Sequence, residues 1–310
     1  MRVLARPLLL VNRPAEDFLR QWPLALGGQV EGIHQARVAT RRLREALPLL
    51  RRGARDREPV VIREALRALT RALGPSRELD VSRLVLKDLL ARRPGFEPPA
   101  AATDRRLAIQ RAAAAEALVQ VGEGLDVAAL MARTRELARR LDGERGSSGC
   151  ARRAGGRLRG RARDLQAAVV GAGRVYAPGP LHAVRIALKK FRYCFELAEN
   201  IGRGRRGASL RRLKTLQDIL GEMHDLQILA AQVRDAGAWV PARQQPSLKA
   251  LADHIDEGIR DLHSHYIDNR GLLVPVLART MRLASELAAR RPPDEAARPQ
   301  ANAPRRREGG

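Results

Sequence analysis

Two segments far apart in the chain repeat one phrase: residues 34–44 read HQARVATRRLR and residues 182–192 read HAVRIALKKFR. His34, Arg37, Arg41, Arg42 and Arg44 match His182, Arg185, Lys189, Lys190 and Arg192 at a constant offset of 148. A second pair follows one helix later. LTRALGPSRELDV (69–81) parallels LQDILGEMHDLQI (216–228) at an offset of 147, which aligns Arg67 with Lys214, Gly74 with Gly221, Arg77 with His224 and Glu78 with Asp225. A duplication retained in this order restricts the chain to architectures built from two like halves.

The period of the apolar residues says what the halves are made of. Spacings of three and four recur, as in Val38, Leu43, Leu47 and Leu50 or Leu213, Leu216 and Leu220, and strand-like alternation is almost missing. Ala, Leu and Arg, all good helix formers, dominate. Breaks are expected at Gly27-Gly28, Gly74-Pro75, Pro94-Gly95 with Pro98-Pro99, Gly143 to Gly149, Pro178 to Pro180, Gly202 to Gly207 and Pro241. The expectation is an all-α chain of roughly eight to ten helices, in two pseudosymmetric halves that each resemble a four-helix bundle. The first half covers about residues 1–141 and the second about 157–290. The Gly- and Ser-rich stretch 142–156 reads as a linker. The tail 291–310, with four prolines and no apolar period, reads as disordered.

On a helix, His34, Arg37, Arg41 and Arg44 fall within an arc of about 80°, and the second copy does the same. Each copy makes a basic stripe, with Arg42 and Lys190 on its flank. Val38, Leu43 and Leu47 point elsewhere and are free to bury. A solvated, idle stripe is the plain alternative, because like charges at this spacing cost only about 0.2–0.5 kcal/mol each. Retention of the same residue types in both halves argues against it, including a histidine in a chain with six. With 58 Lys and Arg against 34 Asp and Glu, a net charge of +24, a polyanionic partner is expected. Arginine donates paired hydrogen bonds to phosphate oxygens, and lysine adds a mobile point charge. Pro180 and Gly32 set His182 and His34 near helix N-termini, where free amides attract anions.

Metal binding by these histidines is disfavoured, since each sits among arginines without a local ligand partner. His254, His263 and His265 read as surface or core residues. Glu78, Asp80 and Asp225 read as loop carboxylates that cap a following helix or pair with an arginine, rather than as Mg²⁺ ligands. Tyr193, opposite Glu45 in the repeat, points its hydroxyl toward the His182 side of its helix. The two cysteines, Cys150 and Cys194, exclude a disulfide framework and fit a cytoplasmic setting. The opening run Leu8–Val11 is too short for a signal-peptide core, and no stretch is long enough to span a membrane.

The phrases HQARVATRRLR with LGPSRELDV, then LHAVRIALKKFRYCFELAE with LGEMHDLQIL, resemble the CHAD family, the conserved histidine α-helical domain. The resemblance runs from about residue 14 to 290 and is to a stand-alone member. It implies one compact all-α domain whose basic helices face a central groove or pore that binds inorganic polyphosphate, as well as association with polyphosphate granules. The ligand residues it implies are His34, Arg37, Arg41, Arg42, Arg44 and Arg67 from the first half. From the second they are His182, Arg185, Lys189, Lys190, Arg192 and Lys214. The two copies depart from symmetry where His224 replaces Arg77 and Gln227 replaces Asp80, and Pro48 should end the first basic helix early.

Binding without catalysis is the leading expectation, with no cofactor, no metal and no membrane partner. Non-specific nucleic-acid binding is the second reading. Aromatics at 3% leave few stacking platforms for it. A phosphoanhydride hydrolase is the third, against which stand the missing GxxxxGK[ST] loop and the lack of a nucleophile paired with a base.

Overall fold

The computed structural model describes residues 6–93, 95–202 and 207–289. It holds ten α-helices and, among the described residues, no strand. They are α1 (Pro7–Leu26), α2 (Val30–Ala46), α3 (Glu58–Arg92), α4 (Glu97–Glu123) and α5 (Val127–Arg139), then α6 (Glu144–Ala172), α7 (Pro178–Gly202), α8 (Ala208–Ala236), α9 (Gln245–Asn269) and α10 (Leu273–Ala288). The basic helices α2 and α7 start 148 residues apart, the offset of the repeated phrase.

Local chemistry sets the helix starts. Proline, whose missing N–H costs nothing there, opens the first turn of α1, α3, α4 and α9. The Asp126 carboxylate caps α5 by accepting from the Ala129 amide at 2.8 Å. The 3₁₀ turn at Leu47–Leu49, which contains Pro48, ends α2 as expected.

Both basic helices bury one stripe and present the other. On α2 the buried set is Ile33, Ala36, Thr40, Leu43 and Leu47 just past its end; on α7 it is Leu181, Val184, Leu188, Phe191, Phe195 and Ala198. These alternate by three and four, the spacing that packs a helix along its length. Val38, expected to bury, is only partly covered.

The same neighbours recur in the two parts of the chain. α1 packs on α2 and α5, α2 on α3, and α3 on α4; likewise α6 packs on α7 and α10, α7 on α8, and α8 on α9. Each set holds five helices where four were expected. Across the sets, α3 meets α8 and α2 meets α7, which brings the basic helices face to face.

Two expected interruptions are continuous helix. α3 runs straight through Gly74-Pro75, and the bond that Pro75 cannot make would have gone to the carbonyl of Arg71, an exposed position on the helix. The linker expected at 142–156 is the first half of α6. Its small residues serve close approach: a Cβ on Gly155 would lie 2.6 Å from the Ala284 carbonyl oxygen, and one on Gly146 would lie 1.9 Å from that of Leu141. Cys150 Sγ and Arg153 Nε both donate to the Leu49 carbonyl, at 3.1 and 2.6 Å, fastening α6 to the first set. The expected disordered tail lies outside the described residues, as does part of the Gly202–Gly207 break. No helix among the described residues is long and apolar enough to cross a membrane.

Candidate anion-binding cavity

Where α2 and α3 face α7 and α8, the chain encloses a cavity of about 590 Å³. α2 supplies His34, Arg37, Arg41 and Arg44, and α3 supplies Arg63, Arg67 and Arg77. α6 adds Arg161, and α7 adds Arg185, Lys189 and Lys190. Ten Lys and Arg side chains thus face three carboxylates, those of Glu45, Glu78 and Asp225.

A few contacts aim this charge. Arg37 Nη1 donates to the Thr70 carbonyl at 2.9 Å, and Arg44 Nη1 to the Thr70 hydroxyl at 3.3 Å. Gly74 lies alongside the first guanidinium, where a Cβ would sit 3.4 Å from Arg37 Nη1, an ordinary contact. The Arg41 guanidinium lies over the Tyr193 ring, 4.5 Å from its centre, a cation–π contact between two residues that both line the cavity. Arg185 stands 3.9 Å from Asp225, too far for a close pair.

These contacts leave donors over. The Nε–H groups of Arg41, Arg44, Arg63, Arg161 and Arg185 are buried with no protein acceptor. Each such orphan costs about 1–3 kcal/mol, and more when charged. Crowding of like charge shows in the proton affinities as well. Burial, then the nearby Arg185 and Arg41, pushes the Lys189 ammonium down to about 7. Burial with Arg41 and Arg77 lowers Arg37 to about 10, and burial with Arg185 and His182 lowers His224 to about 4. His34 is lowered too, mainly by burial and Arg77. Burial pushes the Asp225 carboxyl up, against the pull of Arg185. A multivalent anion with many oxygens would satisfy the orphan donors and relieve the repulsion together.

A model of the CHAD domain matches residues 11–234. The chain belongs to the CHAD family. Two solved structures share the fold of this CHAD protein. The crystal structure of the CHAD domain from the plant Ricinus communis is 23% identical, covering 94% of this chain and 95% of that one, with a TM-score of 0.52. PptA from Streptomyces chartreusis is 18% identical over 90% of this chain and 98% of that one, with a TM-score of 0.58. At these identities the likeness speaks for the fold alone. No curated protein matches the sequence. The family match stops within α8, and α9 and α10 complete the second CHAD helix set.

Of the twelve site residues expected for a CHAD chain, eight line the cavity: His34, Arg37, Arg41, Arg44, Arg67, Arg185, Lys189 and Lys190. The other four lie outside it. Arg42 sits on the exposed flank of α2. Lys214 is drawn outward by Asp218, at 2.5 Å and one turn away. Arg192 packs over the Tyr193 ring, 4.8 Å from its centre. His182 is exposed in the neighbouring α6–α7 groove and touches the cavity only through His224, ring centres 5.1 Å apart. Both phrase histidines are the fifth residue of their helix, one step past the first turn.

Residue-by-residue reading of the CHAD phrase missed Arg63, Arg77 and Arg161. For Arg77 a signal existed, because it aligns with His224 and both line the cavity. Glu78 and Asp225 cap no helix; they lie inside α3 and α8 and face the same space. Asp80, also within α3, pairs with Arg111 at 2.7 Å. Tyr193 is 7% exposed and lines the cavity. Among the described residues, no three His, Cys, Asp or Glu side chains gather as a metal site.

Proposed function

We propose that this CHAD chain binds inorganic polyphosphate in the basic cavity, without catalysis, and that it associates with polyphosphate-rich bodies in the cytoplasm. The reading rests on one observation above all: buried guanidinium donors from α2, α3, α6 and α7 converge on a single space and lack acceptors. A flexible chain of phosphates offers several oxygens per step, so it can engage both basic helices at once. Each contact is charge-assisted and releases counterions, so affinity falls steeply with salt. His34 and the neutral His224 add donors that do not depend on protonation. Arg42, His182, Arg192 and Lys214 fit better as outer contacts for the protruding ends of a long chain.

The test is a charge reversal at Arg37 and Arg185, one from each basic helix. Both are surrounded by other cations, so the variant R37E/R185E should keep its helicity by circular dichroism while losing measurable polyphosphate binding in titration calorimetry. Binding that survives the double reversal would refute the cavity as the site. Competition with DNA and RNA separates the nucleic-acid reading. Long-chain polyphosphate should displace nucleic acid at far lower phosphate concentration, and the reverse order would favour that alternative. Release of phosphate from polyphosphate incubated with Mg²⁺ or Mn²⁺ would refute a pure binder.

A further inference from the structure

Beside the basic cavity lies a second, different cleft. It opens between α3 and α4 next to the first residue of α2, holds about 660 Å³, and has an apolar floor that includes Val30, Leu84, Leu90 and Ala101. Leu84 and Val30 are 55% and 51% exposed there, unusual for large aliphatic side chains. Its charges balance: Arg77, Arg83 and Lys87 against Asp80, Glu97 and Asp104. The Arg83 guanidinium is already closed on Asp104 by two hydrogen bonds of 2.7 and 3.0 Å. One residue, Arg77, lines both this cleft and the cavity.

Asp80 gives the cleft a directional preference. One carboxylate oxygen accepts from Arg111 Nε at 2.7 Å, while the other is buried without any donor, on a side chain only 7% exposed. A buried charged acceptor left over in this way favours a ligand that brings an N–H or O–H to it. A free phosphate chain brings neither, and a balanced, apolar cleft gives it no electrostatic gain. A lipid diphosphate would fill the apolar floor and leave Asp80 unsatisfied. A nucleoside has a flat apolar face and also carries amine and hydroxyl donors, which matches ordinary ligand sites of this size.

We propose that the α3–α4 cleft takes the base and sugar of a nucleoside 5′-polyphosphate, whose phosphates pass Arg77 into the basic cavity. The assignment rests on the anion-binding reading of that cavity. It adds a second ligand class, with the nucleoside held by Leu84, Ala101 and the free oxygen of Asp80.

Calorimetry on the full chain with ATP, tripolyphosphate and long-chain polyphosphate tests it. ATP and tripolyphosphate carry three phosphates each, and ATP the lower charge, so charge alone ranks tripolyphosphate first. The cleft should reverse that order, with ATP binding about tenfold more tightly. Ala101 is exposed on α4, so A101F fills the cleft without disturbing the core. In that variant ATP should fall to the level of tripolyphosphate, with tripolyphosphate and long-chain polyphosphate unchanged. ATP no tighter than tripolyphosphate in the unaltered chain, or an equal loss of both in A101F, overturns the assignment. If long-chain polyphosphate binds and ATP gains nothing, the cleft alone fails. If none of the three binds, the cavity reading fails and the cleft assignment falls with it.

Discussion

Raising the pH from 7.5 to 9 should weaken polyphosphate binding through one residue, Lys189. In the free chain its ammonium is pushed down to about 7 from 10.5, first by burial and then by Arg185, Arg41 and Arg37, with Asp225 opposing. A bound phosphate oxygen stabilises the charged form, so binding above pH 7 takes up a proton. Each pH unit between the free and bound values then costs one factor of ten, about 30-fold over this window. The window lies above the two cavity histidines, which sit below their ordinary values, and below Arg37 at about 10. Calorimetry in two buffers of different ionisation enthalpy should count nearly one proton taken up per bound chain at pH 8.5. K189R keeps the charge throughout and should bind with a flat pH profile, whereas K189M should be flat and weaker. A wild-type affinity independent of pH, or an unchanged slope in K189R, would refute the reasoning. The free protein should show the opposite sign. The unfolded lysine keeps its proton to about 10.4 while the folded one has lost it, so stability rises with pH above 7 until the unfolded chain titrates too. Saturating polyphosphate should abolish that rise in a thermal melt.

Three further substitutions probe the frame and the charge balance. Gly155→Ala places a methyl group against the Ala284 carbonyl and should cost about 1–3 kcal/mol in a denaturant titration. Gly156→Ala, with open space around it, should stabilise by up to about 1 kcal/mol; two neutral results would mean that this stretch is the flexible linker its composition suggests. Asp225→Asn removes the carboxylate 3.9 Å from Arg185 and should tighten polyphosphate binding several-fold with a steeper salt dependence. Weaker binding would instead make Asp225 the residue that positions Arg185.

The helical character of the chain was legible because apolar spacing reports one-sided burial directly. Ile33, Ala36, Thr40, Leu43 and Leu47 vanish into the core as their period requires. What composition misjudged were the glycines. Gly146 and Gly155 look like flexibility in a one-dimensional reading, yet what they supply is the absence of a side chain where two backbones nearly touch. For Gly155 that requirement comes from α10, more than a hundred residues away, and leaves no local trace; for Gly146 it comes from the Leu141 backbone at the turn just before α6. Gly74-Pro75 misled for a related reason. A proline disrupts a helix through one bond and one clash, and in a helix of 35 residues packed on four other helices that cost is absorbed.

The candidate site was half legible. The stripe on α2 reached the cavity almost whole, since its residues share one face and the opposite face is fixed by burial. The copy on α7 did so less fully, and each departure traces to a neighbour that the repeat does not preserve. Asp218 stands where the first half has Arg71, and so Lys214 turns outward while its counterpart Arg67 stays with the cavity. His224 stands where the first half has Arg77, so His182 meets another ring where His34 meets a guanidinium. Arg44 finds the Thr70 hydroxyl, while Arg192, opposite Gln217, settles on Tyr193. The duplication therefore set where cationic side chains start from, and their non-duplicated neighbours set where they end. The same logic places Arg77 at the hinge of both inferences: it came from the repeat's second segment, in a stretch that reads as a loop edge and is in fact the middle of α3. From there it serves the charged cavity on one side and the neutral cleft on the other.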